Sequence, residues 1–355
     1  MILKLLVLFF CYLIVVDSKR ENLAMFSDKA RLKLVIEYWT PERMSQAKPF
    51  LPSNSQIRSV LRQSESNQAA LRGEMQVAIK GAMPSAEFFN QSQLLLKDIT
   101  ARSTVGRVFF KMGSIDYRCT GSVVASNGKN LVLTAAFCIY DSDDSGWATD
   151  MVFVPRYSDG AAPFGIWTAK SLIISNSWIT NKNQNAGIGM MLLSPISGLH
   201  VQEIVGAQGL SINAPLRAST YAFGYSSDRN NGQLMVYCNG TTEASTYSGF
   251  NGARLLCGMD NSGYGSPIVQ QYDVNNAIGY QTYVYVFRLS NSPNYIYGAK
   301  FDTNFKRMYD MYNGKQNAAI HEIFLDSSGV NTHINLSLLA VIILLFYSYS
   351  SFEPT

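Results

Sequence analysis

The chain between Val105 and about Tyr312 consists of short apolar runs separated, at intervals of roughly ten residues, by Gly, Asn, Ser and Pro. Runs of this length between turn residues predict strands, and many strands at this spacing indicate an all-β sandwich or barrel. The clearest runs are Arg107–Met112, Met151–Pro155, Trp167–Ile174, Ile188–Leu193, Leu234–Cys238, Pro267–Gln271 and Ala277–Arg288. We therefore predict an all-β domain over residues 103–314, although periodicity alone does not choose between a sandwich and a barrel.

Helical patterns flank this domain on both sides. Residues 19–102 are rich in Gln, Ser, Met, Lys and Glu, contain no cysteine, and show helical periodicity, for example over Ser55–Ala82. They predict a mostly helical N-terminal segment. After the last strand, apolar residues recur at helical spacing behind Asp302 or Thr303, either of which suits a helix cap, and they predict one C-terminal helix. These residues are Phe305, Met308, Tyr309 and Tyr312.

Both ends of the chain are apolar. Residues 1–18 place Lys4 before an apolar run, which is the pattern of a secretory signal peptide, with a signal anchor as the alternative. After a polar linker over 315–335, residues 336–352 form an apolar stretch of about seventeen residues, the lower limit for a membrane span. Small residues at 326–329 make a glycosylphosphatidylinositol attachment signal the second interpretation. We predict a secreted chain held at a cell surface by a lipid anchor or a single C-terminal span.

Composition narrows the classes of function. The chain has 355 residues, 47% of them apolar, and a net charge of +4 that is spread without a basic block, so nucleic acid is not an expected partner. The acidic turn Asp141–Gly146 begins like a calcium loop, but its twelfth position is Val152 and not a carboxylate. The sequence has neither a His/Cys metal cluster nor a phosphate-binding glycine loop, so we expect no metal and no cofactor.

The stretch from Cys119 to Cys138 is the most informative in the chain. Its two apolar runs, Gly121–Ala125 and Leu131–Ala135, flank the turn Ser126–Lys129 and predict a β-hairpin with a cysteine near each end. In an oxidising compartment Cys119, Cys138, Cys238 and Cys257 should pair, while Cys11 leaves with the signal peptide. Four cysteines allow three pairings, and each sequence-local pair would close a loop of about twenty residues.

Five motifs in order resemble those of the trypsin-like serine endopeptidases, especially the secreted microbial enzymes. They are C-T-G-S-V-V with L-T-A-A-F-C, V-F-V-P-R-Y-S-D-G-A-A-P-F-G-I-W from Val152, I-G-M-M-L-L from Ile188, Y-A-F-G-Y from Tyr221, and L-L-C-G-M-D-N-S-G-Y-G-S-P-I-V from Leu255. The resemblance covers about Val105 to Tyr312. It implies two packed six-stranded antiparallel β-barrels with the active cleft between them, and it favours the disulfides Cys119–Cys138 and Cys238–Cys257.

The resemblance also extends to a short stretch of the N-terminal segment. Tyr38–Met44 and Ala47–Pro49 look like the segment that precedes the catalytic domain in the microbial enzymes. Trp39 would anchor this segment on a globular partner, and Pro41 and Pro49 would restrict its backbone. A partly ordered linker with incidental aromatic residues is the alternative interpretation.

The resemblance assigns the three positions of the catalytic triad. The general-base position is Phe137, the carboxylate position is Gly187, and the nucleophile position is Tyr264. None of these side chains can perform the step that the Ser-His-Asp template requires of its position. The resemblance therefore implies a catalytically inactive homologue. Gly263, Gly265 and Pro267 match the loop of the nucleophile, so the amides of Ser262, Gly263 and Tyr264 are expected to keep an anion-binding nest.

The sequence offers few residues that could replace the three triad side chains. His200 is the only histidine between Cys119 and Tyr312, and it stands away from the family's base position. Ser262 and Ser266 flank the nucleophile position but have no base beside them, and Tyr264 has no evident activator. The alternative is an active serine endopeptidase with a displaced triad, which needs His200 within hydrogen-bond reach of a serine.

The sequence thus predicts a secreted or surface-attached homologue that binds a peptide or protein through its cleft or its barrel surface. A closed, self-packed cleft that binds nothing is the alternative for the site, and a decaying gene copy is the third interpretation. Sequons at Asn90 and Asn239 are candidate glycosylation sites in a secreted chain, whereas the one at Asn335 lies too near the apolar tail.

Overall fold

A computed structural model describes residues 30–51, 76–84, 103–143, 145–228, 230–312 and the backbone of 320–324. The predicted signal peptide, the glycosylation candidate Asn90, the linker's outer parts and the apolar tail lie outside the described residues. Among the residues it does describe, no helix is both long enough and apolar enough to cross a membrane.

The secondary structure is mostly strand. The strands are β1 (Lys48–Pro49), β2 (Val77–Ile79), β3 (Val105–Met112), β4 (Ile115–Val123), β5 (Leu131–Ala135), β6 (Tyr140–Asp141), β7 (Gly146–Trp147), β8 (Thr149–Pro155), β9 (Trp167–Ser175), β10 (Ile188–Leu193), β11 (Gly209–Ile212), β12 (Ser219–Tyr225), β13 (Met235–Thr241), β14 (Glu243–Ala244), β15 (Ala253–Leu256), β16 (Pro267–Asp273), β17 (Ile278–Leu289), β18 (Ser292–Lys300) and β19 (Ile320–Phe324). The helices are α1 (30–38), α2 (Pro41–Gln46), α3 (Asn176–Asn181), α4 (Val201–Val205) and α5 (Thr303–Tyr312).

Six strands of the first sheet close into an antiparallel barrel. Their order is β4-β3-β8-β9-β10-β5, and β5 pairs back with β4 through Ser122 opposite Leu133 and Val123 opposite Val132. The closing pair is the predicted hairpin, and its turn is held by the Lys129 N–H, which donates to the Ser126 carbonyl at 3.1 Å. Side chains of β3, β5 and β10 are almost continuously buried because the strands face the core and a covering layer.

The second sheet is curled, with the strand order β13-β12-β16-β17-β18-β15-β14. Strand β11 pairs in parallel with β17, and β2 pairs antiparallel with β11. Its strands β13 and β15 are joined by the disulfide Cys238–Cys257, because Cys238 lies in β13 and Cys257 directly follows β15. The other disulfide, Cys119–Cys138, ties β4 to the turn after β5. Both disulfides are the sequence-local pairs. The predicted double barrel is therefore present as one closed barrel and one curled sheet.

The N-terminal segment packs against the closed barrel. Trp39 is 1% exposed, and its indole N–H donates to the Asp150 carbonyl at 2.6 Å. Met44 on α2 is buried in the same apolar cluster, and β1 pairs in parallel with β4. Thr40 caps α2 by accepting from the Arg43 amide, and Pro41 stands in the first helical turn, where a missing N–H costs nothing. The predicted docking by Trp39 matches this arrangement.

The helical prediction for Ser55–Ala82 is wrong at its C-terminal end. Val77–Ile79 form strand β2, which pairs antiparallel with β11 through Ser211 opposite Ala78. The edge of β11 offers backbone hydrogen bonds that a three-residue helical turn does not replace, so the tertiary partner overrides the local periodicity. Residues 52–75 lie outside the part of the chain that the structure describes.

The C-terminal helix matches the sequence prediction. The Asp302 carboxylate accepts from the Phe305 amide at 2.9 Å at the N-terminus of α5. Phe305, Met308 and Tyr309 are buried on one face, as their helical spacing predicts. The Tyr309 hydroxyl donates to the Ala125 carbonyl at 2.7 Å, which fixes the helix on the end of the hairpin.

Removing one disulfide tests the stability that it contributes. We expect the double variant Cys119→Ala with Cys138→Ala to have a free energy of unfolding about 3 kcal/mol lower than the wild type. The reason is that the unfolded chain regains conformational entropy when the loop is opened. Urea unfolding in oxidising buffer measures this change. The pair Cys238→Ala with Cys257→Ala is the matched control, since both disulfides span a sequence separation of 19 and should cost about the same. No change in either variant would contradict the expectation.

Replacing Trp39 tests whether it holds the segment on the barrel. We expect Trp39→Ala to make residues 30–50 much more sensitive to limited proteolysis, because a fully buried indole and its hydrogen bond to Asp150 are lost together. Leu34→Ala is the control on the same segment, since Leu34 is 65% exposed. Equal proteolysis of both variants and the wild type would show that Trp39 is not the anchor.

Candidate functional site

Phe137 lies in a short 3-10 turn, Ala136–Cys138, directly after strand β5. The disulfide from Cys138 to Cys119 fixes the end of this turn. The side chain is fully buried and points toward the second sheet, where it meets Tyr264. The position that the family resemblance assigns to the base is therefore placed on a rigid element next to the other sheet.

Tyr264 follows the 3-10 turn Asn261–Gly263 and is 2% exposed. Its ring packs edge-to-face on the Phe137 ring, with a centroid separation of 5.0 Å and an interplanar angle of 82°. Its carbonyl accepts from the Thr120 amide of β4 at 2.8 Å, which ties its loop to the closed barrel. The structure thus brings the assigned base and nucleophile positions together, and aromatic packing joins them.

The third assigned position, Gly187, ends the turn that leads into β10. Its carbonyl accepts from the Ala136 amide at 2.8 Å, so it lies beside the turn of Phe137. A Cβ added at Gly187 would lie 2.9 Å from the Gln184 carbonyl oxygen and 3.1 Å from Val286 Cγ1. The space in which a carboxylate side chain would begin is therefore occupied by neighbouring atoms.

The loop before Tyr264 satisfies its own amides. The Asp260 carboxylate accepts from the Ser262 amide at 2.9 Å, the Asp260 carbonyl accepts from the Gly263 amide at 3.1 Å, and the Asn261 carbonyl accepts from the Tyr264 amide at 3.3 Å. An anion-binding nest needs these N–H groups to point at a ligand. In this structure, the three amides of the predicted nest have acceptors within their own turn.

Gly265 shows why the loop keeps its glycine. Its φ is +89°, and an added Cβ would lie 2.1 Å from the Thr120 carbonyl oxygen and 2.5 Å from Thr134 Oγ1. Only a residue without a side chain fits this conformation against β4. The backbone that the family uses to present its nucleophile is therefore retained around Tyr264.

Further aromatic rings fill the space around the pair. Phe50 of the N-terminal segment stacks on Phe137 at 6.1 Å, and Tyr285 of β17 contacts Tyr264 at 4.9 Å. The Trp178 ring also packs near Phe137, with a centroid separation of 6.3 Å. Phe50 is 6% exposed and the other two are fully buried. The cleft between the two sheets is thus closed by packed rings at this point.

Burial also suppresses ionisation of Tyr264. Desolvation raises the pKa of its phenol well above the ordinary value, and the weaker effects of Arg288 do not reverse it. The hydroxyl donates to Asn261 Oδ1 at 2.9 Å, so it is held as a neutral donor. A phenolate nucleophile is therefore strongly disfavoured at this site.

The candidate substitute groups are not assembled around a serine. His200 precedes α4, its amide donates to Glu203, and its buried Nδ1 has no hydrogen-bond partner among the described residues. The Ser266 hydroxyl donates to the Gly263 carbonyl at 2.6 Å, and the Ser262 hydroxyl contacts that of Ser227. Neither serine has a hydrogen bond to an imidazole in the described part of the chain.

Sequence reasoning missed two contributors to this site. Phe50 belongs to the N-terminal segment, and no local pattern in the sequence indicates that it packs on Phe137. Arg107 lies within an apolar strand run and is fully buried, with its Nη1 donating to the Ser262 carbonyl at 3.0 Å. A single arginine inside a buried strand was the available signal, because such a charge needs a specific partner.

The remaining site predictions concern metals and glycans. The described residues contain no group of three or more His, Cys, Asp and Glu side chains that is suited to hold a metal ion. Asn239 lies exposed on β13, opposite Tyr221 of β12, and remains a predicted glycosylation site.

Comparison with known proteins supports the fold. No family model matches the chain. It is 25% identical over 205 residues to a protein named extracellular metalloprotease from Bacillus subtilis (strain 168), an alignment that covers 56% of this chain and 62% of that relative. The chain thus spans less than two thirds of this relative's length.

Two solved structures are similar to the chain. The protease Anisep from Arthrobacter nicotinovorans shares 28% identity with a TM-score of 0.56, covering 61% of this chain and 97% of that one. The thermostable serine protease AL20 from an extremophilic microorganism shares 25% identity with a TM-score of 0.56, covering 61% and 100%. The chain therefore has the fold of the trypsin-like serine proteases, and its structural neighbours are proteases of that fold.

Proposed function

We propose that the chain is a secreted, non-catalytic homologue of the trypsin-like serine proteases that acts by binding a peptide or protein. The edge-to-face packing of Phe137 on Tyr264 carries this proposal, because both rings are buried where the family resemblance places the base and the nucleophile. The curled second sheet then corresponds to the second six-stranded barrel of the fold, with β13 and β15 as the strands that the disulfide joins.

The chemistry of the three positions supports the loss of hydrolysis. Phe137 has no proton-accepting group, Gly187 has no carboxylate to orient a base, and the buried phenol of Tyr264 stays protonated. The amides of Ser262 and Tyr264 have internal acceptors and do not point at an oxyanion. Loss of a complete triad lowers turnover by about a million-fold, so hydrolysis would be negligible.

The closed cleft supports ligand binding on the outer surface rather than between the two sheets. A substrate-like peptide would have to displace buried rings, including Phe50 and Tyr264, before it reached the site. Packed aromatic rings of this size are costly to expose. We therefore favour the surface of the two sheets over the aromatic cleft as the region that contacts a peptide or protein.

The signal-like first residues, the apolar stretch at 336–352 and the name of one relative support an extracellular location. The Bacillus subtilis relative is named as an extracellular protein, and the first residues of this chain have the pattern of a secretory signal. The apolar tail at 336–352 supports attachment to a cell surface by a lipid anchor or a single span. The metalloprotease activity in that name is not part of this proposal.

A fluorophosphonate probe tests the absence of an activated serine. We expect no labelling of the purified, secreted chain, because Ser262 and Ser266 have no imidazole base in the described structure. An active trypsin-like protease in the same reaction is the positive control. Labelling that disappears in Ser262→Ala or Ser266→Ala would overturn the non-catalytic proposal and identify the nucleophile.

The unfolding free energy of a variant at Phe137 distinguishes a closed cleft from an open groove. We expect Phe137→Ala to lower the free energy of unfolding by about 3–5 kcal/mol, because a fully buried ring with aromatic neighbours is removed. Urea unfolding followed by fluorescence measures this loss. Tyr237→Ala is a matched control, since Tyr237 is an aromatic residue that is 50% exposed. A loss no greater than that of the control would mean that the cleft is open in solution.

A further inference from the structure

Two arginines are buried side by side between the N-terminal segment and the two sheets. Arg107 of β3 is 0% exposed and Arg118 of β4 is 3% exposed. Among the described residues, neither guanidinium forms an ion pair with a carboxylate. Burial and, to a lesser degree, the charge of Arg118 lower the pKa of Arg107 to about 9. The charge of Asp260 acts on both arginines, but in the described part of the chain its carboxylate forms an ion pair with neither. Buried charges without a direct partner are strongly destabilising unless something compensates them.

Backbone carbonyls supply part of the compensation. Arg107 donates to the carbonyls of Ser262 and Gly232, and Arg118 Nη2 donates to the Asn231 carbonyl at 2.9 Å. Asn230, Asn231 and Gly232 all have positive φ angles, of 48°, 49° and 69°. This unusual run turns two carbonyls toward the two arginines. Carbonyl dipoles partly neutralise a guanidinium, but they do not cancel its charge.

Donors on both arginines remain unused. The buried Nε atoms of Arg107 and Arg118 have no hydrogen-bond partner among the residues that the structure describes. A guanidinium carries five N–H donors in one plane, and buried donors normally find acceptors. Arg118 Nη1 donates to the Ser45 carbonyl at 3.5 Å, which is at the limit of a hydrogen bond. Nη1 is therefore the weakly bonded donor of Arg118 that a charged acceptor would bind more strongly.

An open cavity of about 460 Å³ lies next to Arg118. The residues Ser45–Pro49 form one wall, and Asn231 and Gln233 form another. Lys48 adds a second positive charge to the lining, and the described residues that line the cavity include no aspartate or glutamate. The cavity thus combines a largely buried guanidinium, an ammonium group and space for a small ligand.

We propose that this cavity binds a small tetrahedral oxyanion such as phosphate or sulfate. The oxyanion would accept from Arg118 and Lys48 and would balance the charge of the arginine pair, as guanidinium and ammonium groups do for phosphate in other proteins. Its position between Ser45–Pro49 and the loop at 231–233 would fasten the N-terminal segment to the second sheet. This site is separate from the cleft and does not depend on the proposed function.

Thermal unfolding with inorganic phosphate tests the site in the full secreted chain. A ligand that binds only the folded state raises the unfolding temperature in a saturable way. We expect such a rise with phosphate and with sulfate, and none with sodium chloride at the same ionic strength. The absence of a saturable rise in the wild type would overturn the proposal.

Two lysine variants test whether phosphate binds in this cavity. We expect Lys48→Gln to weaken the apparent phosphate affinity about tenfold, because one charge-assisted hydrogen bond is lost. Lys80→Gln is the matched control, since Lys80 is also exposed but does not line the cavity, and it should respond like the wild type. Equal affinities in all three proteins would refute the assignment of the anion to this cavity.

The variant Arg118→Gln removes the buried guanidinium itself. If it folds, as judged by circular dichroism, we expect the response to phosphate to be abolished, and a full response would overturn the proposal. If the variant does not fold, the comparison of Lys48→Gln with Lys80→Gln decides the question, because both lysines are exposed and their loss should leave the fold intact.

Discussion

The contact between Phe137 and Tyr264 is the interaction on which the interpretation of this molecule depends. It joins the turn after β5 to the loop before β16, so it connects the closed barrel to the curled sheet at the point where related enzymes place their chemistry. Hydrophobic burial favours two packed rings there, whereas a serine and a histidine would need a hydrated or hydrogen-bonded environment. The two packed rings therefore hold the closed barrel and the curled sheet together at this point.

The N-terminal segment contributes to both regions of interest. Phe50 stacks on Phe137 and helps to close the cleft, while Ser45–Pro49 form one wall of the cavity beside Arg118. Trp39 fixes the beginning of this stretch on the barrel through its hydrogen bond to Asp150. The stretch that resembles the segment before the catalytic domain in the microbial enzymes is thus part of the packed structure, and its loss would expose aromatic surface and alter the surroundings of a buried charge.

Several features followed from local sequence. The hairpin between Cys119 and Cys138 was predictable because two apolar runs flank a four-residue turn, and α5 was predictable because its apolar spacing follows a cap residue. The family resemblance favoured the two disulfide pairs that the structure contains. It also located Phe137 and Tyr264, whose side chains the structure places in contact. In each of these cases, the residues that decide the feature lie close together in the sequence or within one motif.

The remaining features depend on contacts between distant parts of the chain. Val77–Ile79 become a strand because β11 offers an edge, and Phe50 reaches Phe137 because β1 pairs with β4. The pairing of Arg107 with Arg118, and their carbonyl partners from the loop at 231–232, have no local signal beyond a charged residue in an apolar strand. The sequence by itself determined the all-β domain, the hairpin and the chemical identity of the site residues. Only the tertiary structure decided that the cleft is closed and that two charges are buried together, because packing and desolvation depend on which distant residues become neighbours.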